Sequence, residues 1–360
     1  MRLLDDQKKI SKIDKQGMLR SIESLALQCQ QAWDESQKII IPSSYRQSEN
    51  ILINGMGGSA LGGHLIESIY NRKLKVPLKI INSYTLPAFV GRQTLYILSS
   101  YSGTTEEVLS TFNEARRRRA KLLIICAGGK LAALARRYRV PAYIFTPSFN
   151  PCNQPRMGLG YSVIGQLGLL ARCGFISVKK SELDEAISAI LKLHRVFGVK
   201  ANQTSNPAKQ AAQELFGRLP IIVAAEHLSG NAHIFANQIN ENSKNFSSYF
   251  LISELNHHLM EGLIFPRDNR RLLAFLFLES RKYLPPIQKR FSITKKVLDK
   301  NRIKHSGYLA RSNSTLSQTL EVLLYGSYVN FYLAMLNGLD PSPIPFVDFF
   351  KRQLEKGKKR

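Results

Sequence analysis

The stretch NILINGMGGSALGGHLIESIY, residues 50–70, decides how the rest of the chain is read. It opens on an apolar run, crosses five glycines in nine positions (55–63), and continues as an amphipathic segment. That order is a strand, a bare turn and a helix. Glycine lets backbone N–H groups come close to a ligand, and the helix amino terminus just beyond favours an anion. A Walker A loop needs Lys and then Ser or Thr after its last glycine, whereas Gly62 and Gly63 are followed by His64. A dinucleotide fingerprint fits better at Gly55, Gly57 and Ala60, but it wants an acidic residue near the end of the next strand. That strand ends in Asn82 and Ser83, which counts against NAD. A tight turn with close helix–sheet packing is the plainer alternative, and it has no need of Ser59 or of so many glycines.

The same alternation continues outward. Apolar runs follow at LKIINSY (78–84), TLYILSS (94–100), KLLIICAG (121–128) and PAYIFTP (141–147), with helical patterns filling most gaps. Continuous apolar strands separated by helices predict a parallel sheet covered on both faces. Right-handed connections then bring the loops after each strand to one edge of that sheet. Upstream, residues 15–40 have helical periodicity closed by Pro42. Downstream, TPSFNPCNQPRMGLGYS (146–162) ends the first set, and a helical region runs from about 161 to 216. A second set contains LPIIVAAEH (219–227), the helical NAHIFANQINENSK (231–244), SYFLISELNHH (248–258) and LLAFLFLES (272–280). Two more helices are expected, over 314–336 and 345–356. The chain therefore reads as two α/β halves of similar plan, inferred from pattern, since no exact repeat is present.

Composition narrows the function classes. A length of 360 residues suits two domains with real cores. The amino-terminal MRLLDDQKKISKIDK lacks a signal-peptide core, so secretion is not expected. The most apolar stretch, LLAFLFL (272–278), is too short to span a bilayer. Four cysteines, Cys29, Cys126, Cys152 and Cys173, show no CxxC or CxxH spacing, which predicts free thiols in a cytoplasmic protein and no zinc site. The net charge of +25 would suit a polyanion or an anionic small substrate. The basic residues are spread along the chain, clustering only at Arg116–Arg119 and in the tail KGKKR. No helix-turn-helix, zinc-finger or RNP-like pattern accompanies them, so nucleic acid is not the expected partner.

Three more features bear on chemistry. SSYSGTTEEVL (99–109) also joins a strand end to a helix start, with Ser100, Ser102, Thr104 and Thr105 clustered around Gly103. Thr104 and Glu107 have the spacing of a capping box, but capping needs only one hydroxyl. Several hydroxyls and free N–H groups at a helix start form a phosphate cradle without Lys or metal, with Glu106 and Glu107 expected to face outward. In the second half, Glu241 of NQINENSK and His257 of ELNHH stand 16 residues apart, one near a helix end and one past a strand. A carboxylate and an imidazole suit the movement of a carbon-bound proton and the opening of a hemiacetal ring. Arg156, in the stretch between the halves, and Lys351, on the last helix, supply two cations that singly read as surface charge.

Together these segments resemble the bifunctional phosphoglucose/phosphomannose isomerase family, built from two sugar isomerase (SIS) domains. The matching motifs are GMGGSALGG, SYSGTTEE, QPRMGLGYS, INENSK, ELNH and GLDPSPIPFVDFFK, in the family's order over roughly 15–355. The resemblance implies two SIS-type, flavodoxin-like, doubly wound parallel-sheet domains with helices on both faces. Their expected bounds are a helical segment at 1–45, a first SIS domain at 46–175, and a second at 176–360 that includes the C-terminal helix. It further implies that Gly58, Ser59, Ser100, Ser102 and Thr105 bind the substrate phosphate. Arg156 would stabilise the charge on an enediol, and Glu241 would carry the proton between C1 and C2. His257 and Lys351 would assist ring opening, with His257 reaching the site from a neighbouring subunit of a homodimer. The implied reaction interconverts fructose 6-phosphate with glucose 6-phosphate, with mannose 6-phosphate as the second candidate. It calls for no cofactor and no metal.

The sequence departs from the family pattern at several points. His64 and Thr104 stand where the family has Asp and Asn, and His258 and Leu259 replace the Asn and Glu of NHNE. In the DP segment the family tends to place a small hydroxyl residue that helps accept both C2 epimers, whereas this chain has Ser342 nearby but Ile344 and Pro345 further on, which makes mannose 6-phosphate the less secure substrate. Two other function classes remain open on sequence. A non-catalytic SIS-type sugar-phosphate sensor would need the phosphate loops but not Glu241, and an NAD-dependent enzyme would bind a nicotinamide cofactor instead.

Overall fold

The computed structural model describes residues 3–357; Met1, Arg2 and the tail residues Lys358 to Arg360 lie outside the described residues. Three helices come first, α1 (Gln7–Ile13), α2 (Met18–Glu23) and α3 (Leu25–Ser36). The first α/β set is β1 (Asn50–Asn54), α4 (Gly58–Tyr70), β2 (Leu78–Ile81), β3 (Thr94–Ser99), α5 (Glu106–Arg117), β4 (Lys121–Cys126), α6 (Gly129–Tyr138) and β5 (Ala142–Ile144). Helices α7 (Leu159–Arg172), α8 (Lys180–Phe197) and α9 (Pro207–Leu215) lead into the second set. That set comprises β6 (Leu219–Ala224), α10 (Ser229–Gln238), β7 (Ser248–Leu251), α11 (Leu255–His258), α12 (Asn269–Leu272), β8 (Leu273–Ser280), α13 (Pro285–Lys300) and β9 (Lys304–Ala310). Helices α14 (Thr315–Leu336) and α15 (Pro345–Gly357) close the chain.

Both sheets are parallel throughout. Their strand orders, β2-β1-β3-β4-β5 and β7-β6-β8-β9, share one plan. The central strands β1, β3, β4, β6 and β8 are buried almost end to end, as the continuous apolar runs predict for strands covered on both faces. In the first half α5 and α6 cover one face of the sheet, and α4 and α7 belong to the core on the other. The fold is therefore the expected α/β arrangement of two doubly wound parallel sheets. One strand escapes the sequence reading: β9, KHSGYLA, lies at a sheet edge, half of it faces outward, and its polar face hides the apolar alternation.

Helices α4 and α10 pack across the two halves, and behind them α14 supports the second half and reaches α4. Helix α14 is buried along nearly its whole length, its few polar residues scattered and not gathered into a stripe. It packs on α8, α9 and α10 and touches α4 of the first half. Helix α4 crosses α7 so closely that a Cβ on Gly62 would lie 2.7 Å from the Ser162 carbonyl oxygen and 2.9 Å from Gln166 Nε2. This packing explains Gly62, while Gly63 seats the helix on the sheet, where a Cβ would fall 3.1 Å from Ile80 and 3.2 Å from Ile53 side-chain carbons. Gly62→Ala is expected to destabilise the fold by about 1–3 kcal/mol, because neither backbone can give way cheaply. Urea unfolding of the two proteins checks it, and unchanged stability would refute the crossing as drawn.

Among the described residues, no helix is long and apolar enough to cross a membrane. The four cysteines are free and buried.

Candidate active site

The two glycine- and hydroxyl-rich loops meet, as parallel-strand topology requires of turns at one sheet edge. Ser59 Oγ accepts the backbone N–H of Tyr101 at 2.8 Å, so the first loop is hydrogen-bonded to the second. The Ser59 carbonyl in turn accepts from Ser99 Oγ at 2.8 Å and Gln166 Nε2 at 3.0 Å. Gly58 sits against the segment between the halves: a Cβ there would fall 2.8 Å from the Pro155 carbonyl oxygen. Three of the sequence motifs thus converge on Gly58 and Ser59.

The second loop is organised by paired hydroxyls and not by a capping box. Ser100 Oγ and Thr105 Oγ1 are 2.7 Å apart, and Ser102 Oγ and Thr104 Oγ1 are 2.9 Å apart. Helix α5 begins at Glu106 with Thr105 in the N-cap position, but no side chain caps it. The expected Thr104–Glu107 capping box is therefore absent, because Thr104 bonds Ser102 instead. The loop thus leads directly into a helix start, an end that favours an anion. Glu106 and Glu107 are half-buried, not fully outward as expected, and Glu106 accepts from the Tyr84 hydroxyl at 3.2 Å.

Arg156 and Glu241 form the second cluster. Glu241 lies in a π-turn, Ile239–Ser243, that continues α10 and ends at Lys244 in the left-handed conformation. Such one-turn widenings recur at functional sites because they re-aim a side chain. Arg156 Nη1 stands 3.4 Å from Glu241 Oε2 and donates to Gln154 Oε1 at 2.7 Å. Its Nε donates to Asn242 Oδ1, and its Nη2 donates to the carbonyls of Pro341 at 3.1 Å and Ser342 at 2.8 Å. The guanidinium is 2% exposed, with every donor facing a protein oxygen. Burial raises the Glu241 carboxyl above its ordinary value, opposed by the charges of Arg156, Lys244 and Lys351. Lys351, on exposed α15, is thus close enough for its charge to act on the proposed base.

Lys244 was not singled out from sequence, although it lies in the INENSK motif. Its Nζ donates to the carbonyls of Glu241 at 2.6 Å and Pro341 at 2.9 Å, tying the π-turn to the segment before α15. Desolvation and the neighbouring Arg156 push its ammonium down to about 8. Asn242 and Gln238 lie in the quoted NQINENSK segment without having been singled out, and Asn330 carried no signal beyond being a polar residue in a largely apolar helix, where a buried amide must have a partner.

His257 stands apart. It lies in α11, exposed, and among the described residues its imidazole has no hydrogen bond or ion pair. Within one chain it is not joined to Glu241. His64, the departure in the first loop, is packed edge-on to His233 of α10 with ring centroids 4.6 Å apart, and His233 stacks on Tyr249. Burial and the second imidazole push His64 down to about 4, so the pair joins the two halves as neutral rings near pH 7. Among the described residues no group of three or more His, Cys, Asp or Glu side chains has metal-binding geometry.

Two linked parallel sheets with converging loops define the SIS type of α/β protein. The C-terminal domain of glucosamine-fructose-6-phosphate aminotransferase from Francisella tularensis superposes with a TM-score of 0.66 at 12% identity, covering 90% of this chain and 97% of that one. The model of the bacterial phospho-glucose isomerase C-terminal SIS domain matches residues 204–354. A bifunctional phosphoglucose/phosphomannose isomerase from Caldicellulosiruptor bescii is 31% identical over 94% of this chain and 98% of its own length. Its counterpart from Aquifex aeolicus is 30% identical over 90% and 94%. The chain belongs to the bifunctional phosphoglucose/phosphomannose isomerase family.

Proposed function

We propose that the protein is an aldose–ketose isomerase that interconverts fructose 6-phosphate with glucose 6-phosphate through a cis-enediol, with the C2 epimer mannose 6-phosphate as the second substrate to be tried. The observation that carries this reading is the Arg156–Glu241 pair: a carboxyl raised by burial, beside a fixed guanidinium. A sensor of sugar phosphates would need the two loops but not this pair.

In the proposed reaction the phosphate is received by Gly58, Ser59, Ser100, Ser102 and Thr105, where the paired hydroxyls exchange their mutual bonds for phosphate oxygens. Glu241 removes the proton on C2 of the open-chain aldose, the C2 electrons form the C1–C2 double bond, and the carbonyl oxygen on C1 takes up negative charge. Arg156 stabilises that charge through its fixed field. The proton of the O2 hydroxyl passes to O1, and Glu241 returns the carbon-bound proton to C1 as the C2–O2 carbonyl of the ketose forms. Lys351 and His257 assist ring opening by proton transfer. The exposure of His257 supports its service to the site of a second copy, as expected for a homodimer. No metal enters the scheme, and the domain bounds of 46–175 and 176–360 remain part of this reading.

The test is isomerisation of fructose 6-phosphate by purified protein in the presence of a chelator, with glucose and mannose 6-phosphates measured separately. Turnover is expected. Saturable sugar-phosphate binding without turnover would replace the isomerase with a sensor, and thermal protection by a nicotinamide cofactor alone would favour the redox alternative.

A further inference from the structure

Behind the Arg156–Glu241 pair lies a closed ring of hydrogen bonds formed by four residues, each no more than 2% exposed: Arg156, Asn242, Asn330 and Gln238. Arg156 Nε donates to Asn242 Oδ1, and Asn242 Nδ2 donates to Asn330 Oδ1 at 2.6 Å. Asn330 Nδ2 donates to Gln238 Oε1 at 3.0 Å, and Gln238 Nε2 donates to the backbone carbonyl of Arg156 at 3.0 Å. The ring starts and ends on one residue. A guanidinium only donates and a carbonyl only accepts, so these two ends fix the direction of all three amides between them. None can turn over without setting two donors or two acceptors face to face.

We propose that Asn330, in the middle of α14 and remote from every sequence motif, is a positioning residue for the isomerase reaction proposed above, acting through this ring on Arg156 and so on Glu241. The ring fixes the guanidinium from behind, at Nε. The remaining donors then point forward, Nη1 toward Gln154 and Glu241, Nη2 toward the Pro341 and Ser342 carbonyls that lead into α15. One orientation therefore governs both the proposed base and the approach of the helix bearing Lys351. A buried polar network satisfied at every member holds its geometry, and one broken at a single member loses it. The charged groups facing Glu241 are Arg156 from the segment between the halves, Lys244 beside it and Lys351 from α15, while Asp340 and Asp348 face Lys244 and Arg156.

Asn330→Ala opens the ring without touching either phosphate loop. With the guanidinium less well held, kcat is expected to fall by about 10- to 100-fold, the range for misplacement of about an ångström, while KM for fructose 6-phosphate stays within about two-fold. The acid limb of kcat should move to higher pH, because Glu241 loses part of the opposing positive field. A ¹³C carboxyl titration of Glu241, assigned by its loss in Glu241→Gln, should show the same upward shift whether or not the protein turns over sugar. Gln238→Met breaks the ring at its other side with a chain of similar length and should repeat the result if Asn330→Ala does not fold. A folded variant in which both kcat and the Glu241 titration are unchanged overturns the inference. An inactive wild type overturns the proposed reaction, and the titration then still decides whether the ring controls Glu241.

Discussion

Glu241→Gln is expected to fold normally and to lower kcat for fructose 6-phosphate by at least about 10²-fold, roughly 2.7 kcal/mol of transition-state stabilisation. The amide keeps the size of the carboxylate and leaves an oxygen toward Arg156, but it cannot take the proton from carbon. The pH dependence adds a second signature. Burial raises the Glu241 carboxyl above 4.5, and only the deprotonated form acts as base, so wild-type activity should fall as pH drops through a value above 4.5. That limb should be absent from the residual rate of the variant. A raised carboxyl value means that the folded protein binds this proton more tightly than the unfolded chain does. Its stabilising contribution is therefore full below 4.5 and lost as pH rises through the folded value. Near pH 7, Glu241→Gln should consequently be at least as stable as wild type. Turnover equal to wild type would remove Glu241 from the mechanism.

Arg156→Met is expected to cost stability as well as activity. Removing a buried, fully bonded charge leaves its partners without donors, a change in the range of about 3–5 kcal/mol. The oxygens abandoned would be those of Asn242, Gln154, Pro341, Ser342 and Glu241. Arg156→Lys should recover little of this, since an ammonium is a point donor and cannot span acceptors arranged around a planar fork. Urea unfolding measures the first effect and initial rates the second. Arg156→Lys with wild-type stability and turnover would show that the fork geometry is unimportant.

The first half was the more legible in sequence because its chemistry and its packing use the same residues. An apolar run, Gly58 and Ser59 are enough to announce a strand, a glycine-rich turn and a helix, and Ser59 does bond the second loop. The edge strand Lys304–Ala310 was hidden because a strand exposed on one side carries polar residues where the pattern looks for apolar ones. Thr104 misled for a related reason. Its spacing to Glu107 fits a cap, but spacing cannot show that Ser102 competes for the same hydroxyl. The deepest gap concerns Arg156, which as a lone cation after a proline reads as a solvated charge. Its partners come from three separated stretches of chain, at 154, 238–242 and 341–342, and only the tertiary fold brings them together. His64, unexplained as a departure from a motif, faces His233 across the two halves, a relation that local reading does not contain.

The burial of α14 on every side makes the two sheets dependents of one shared interior. A cut between them would not yield two autonomous halves: the first would lose the cover on α4, and the second would keep α14 with part of its apolar surface bare to water. Two sheets of similar plan look like tandem copies that could be exchanged as modules between relatives. In this chain they share one apolar interior, so a cut between them exposes surface on both sides.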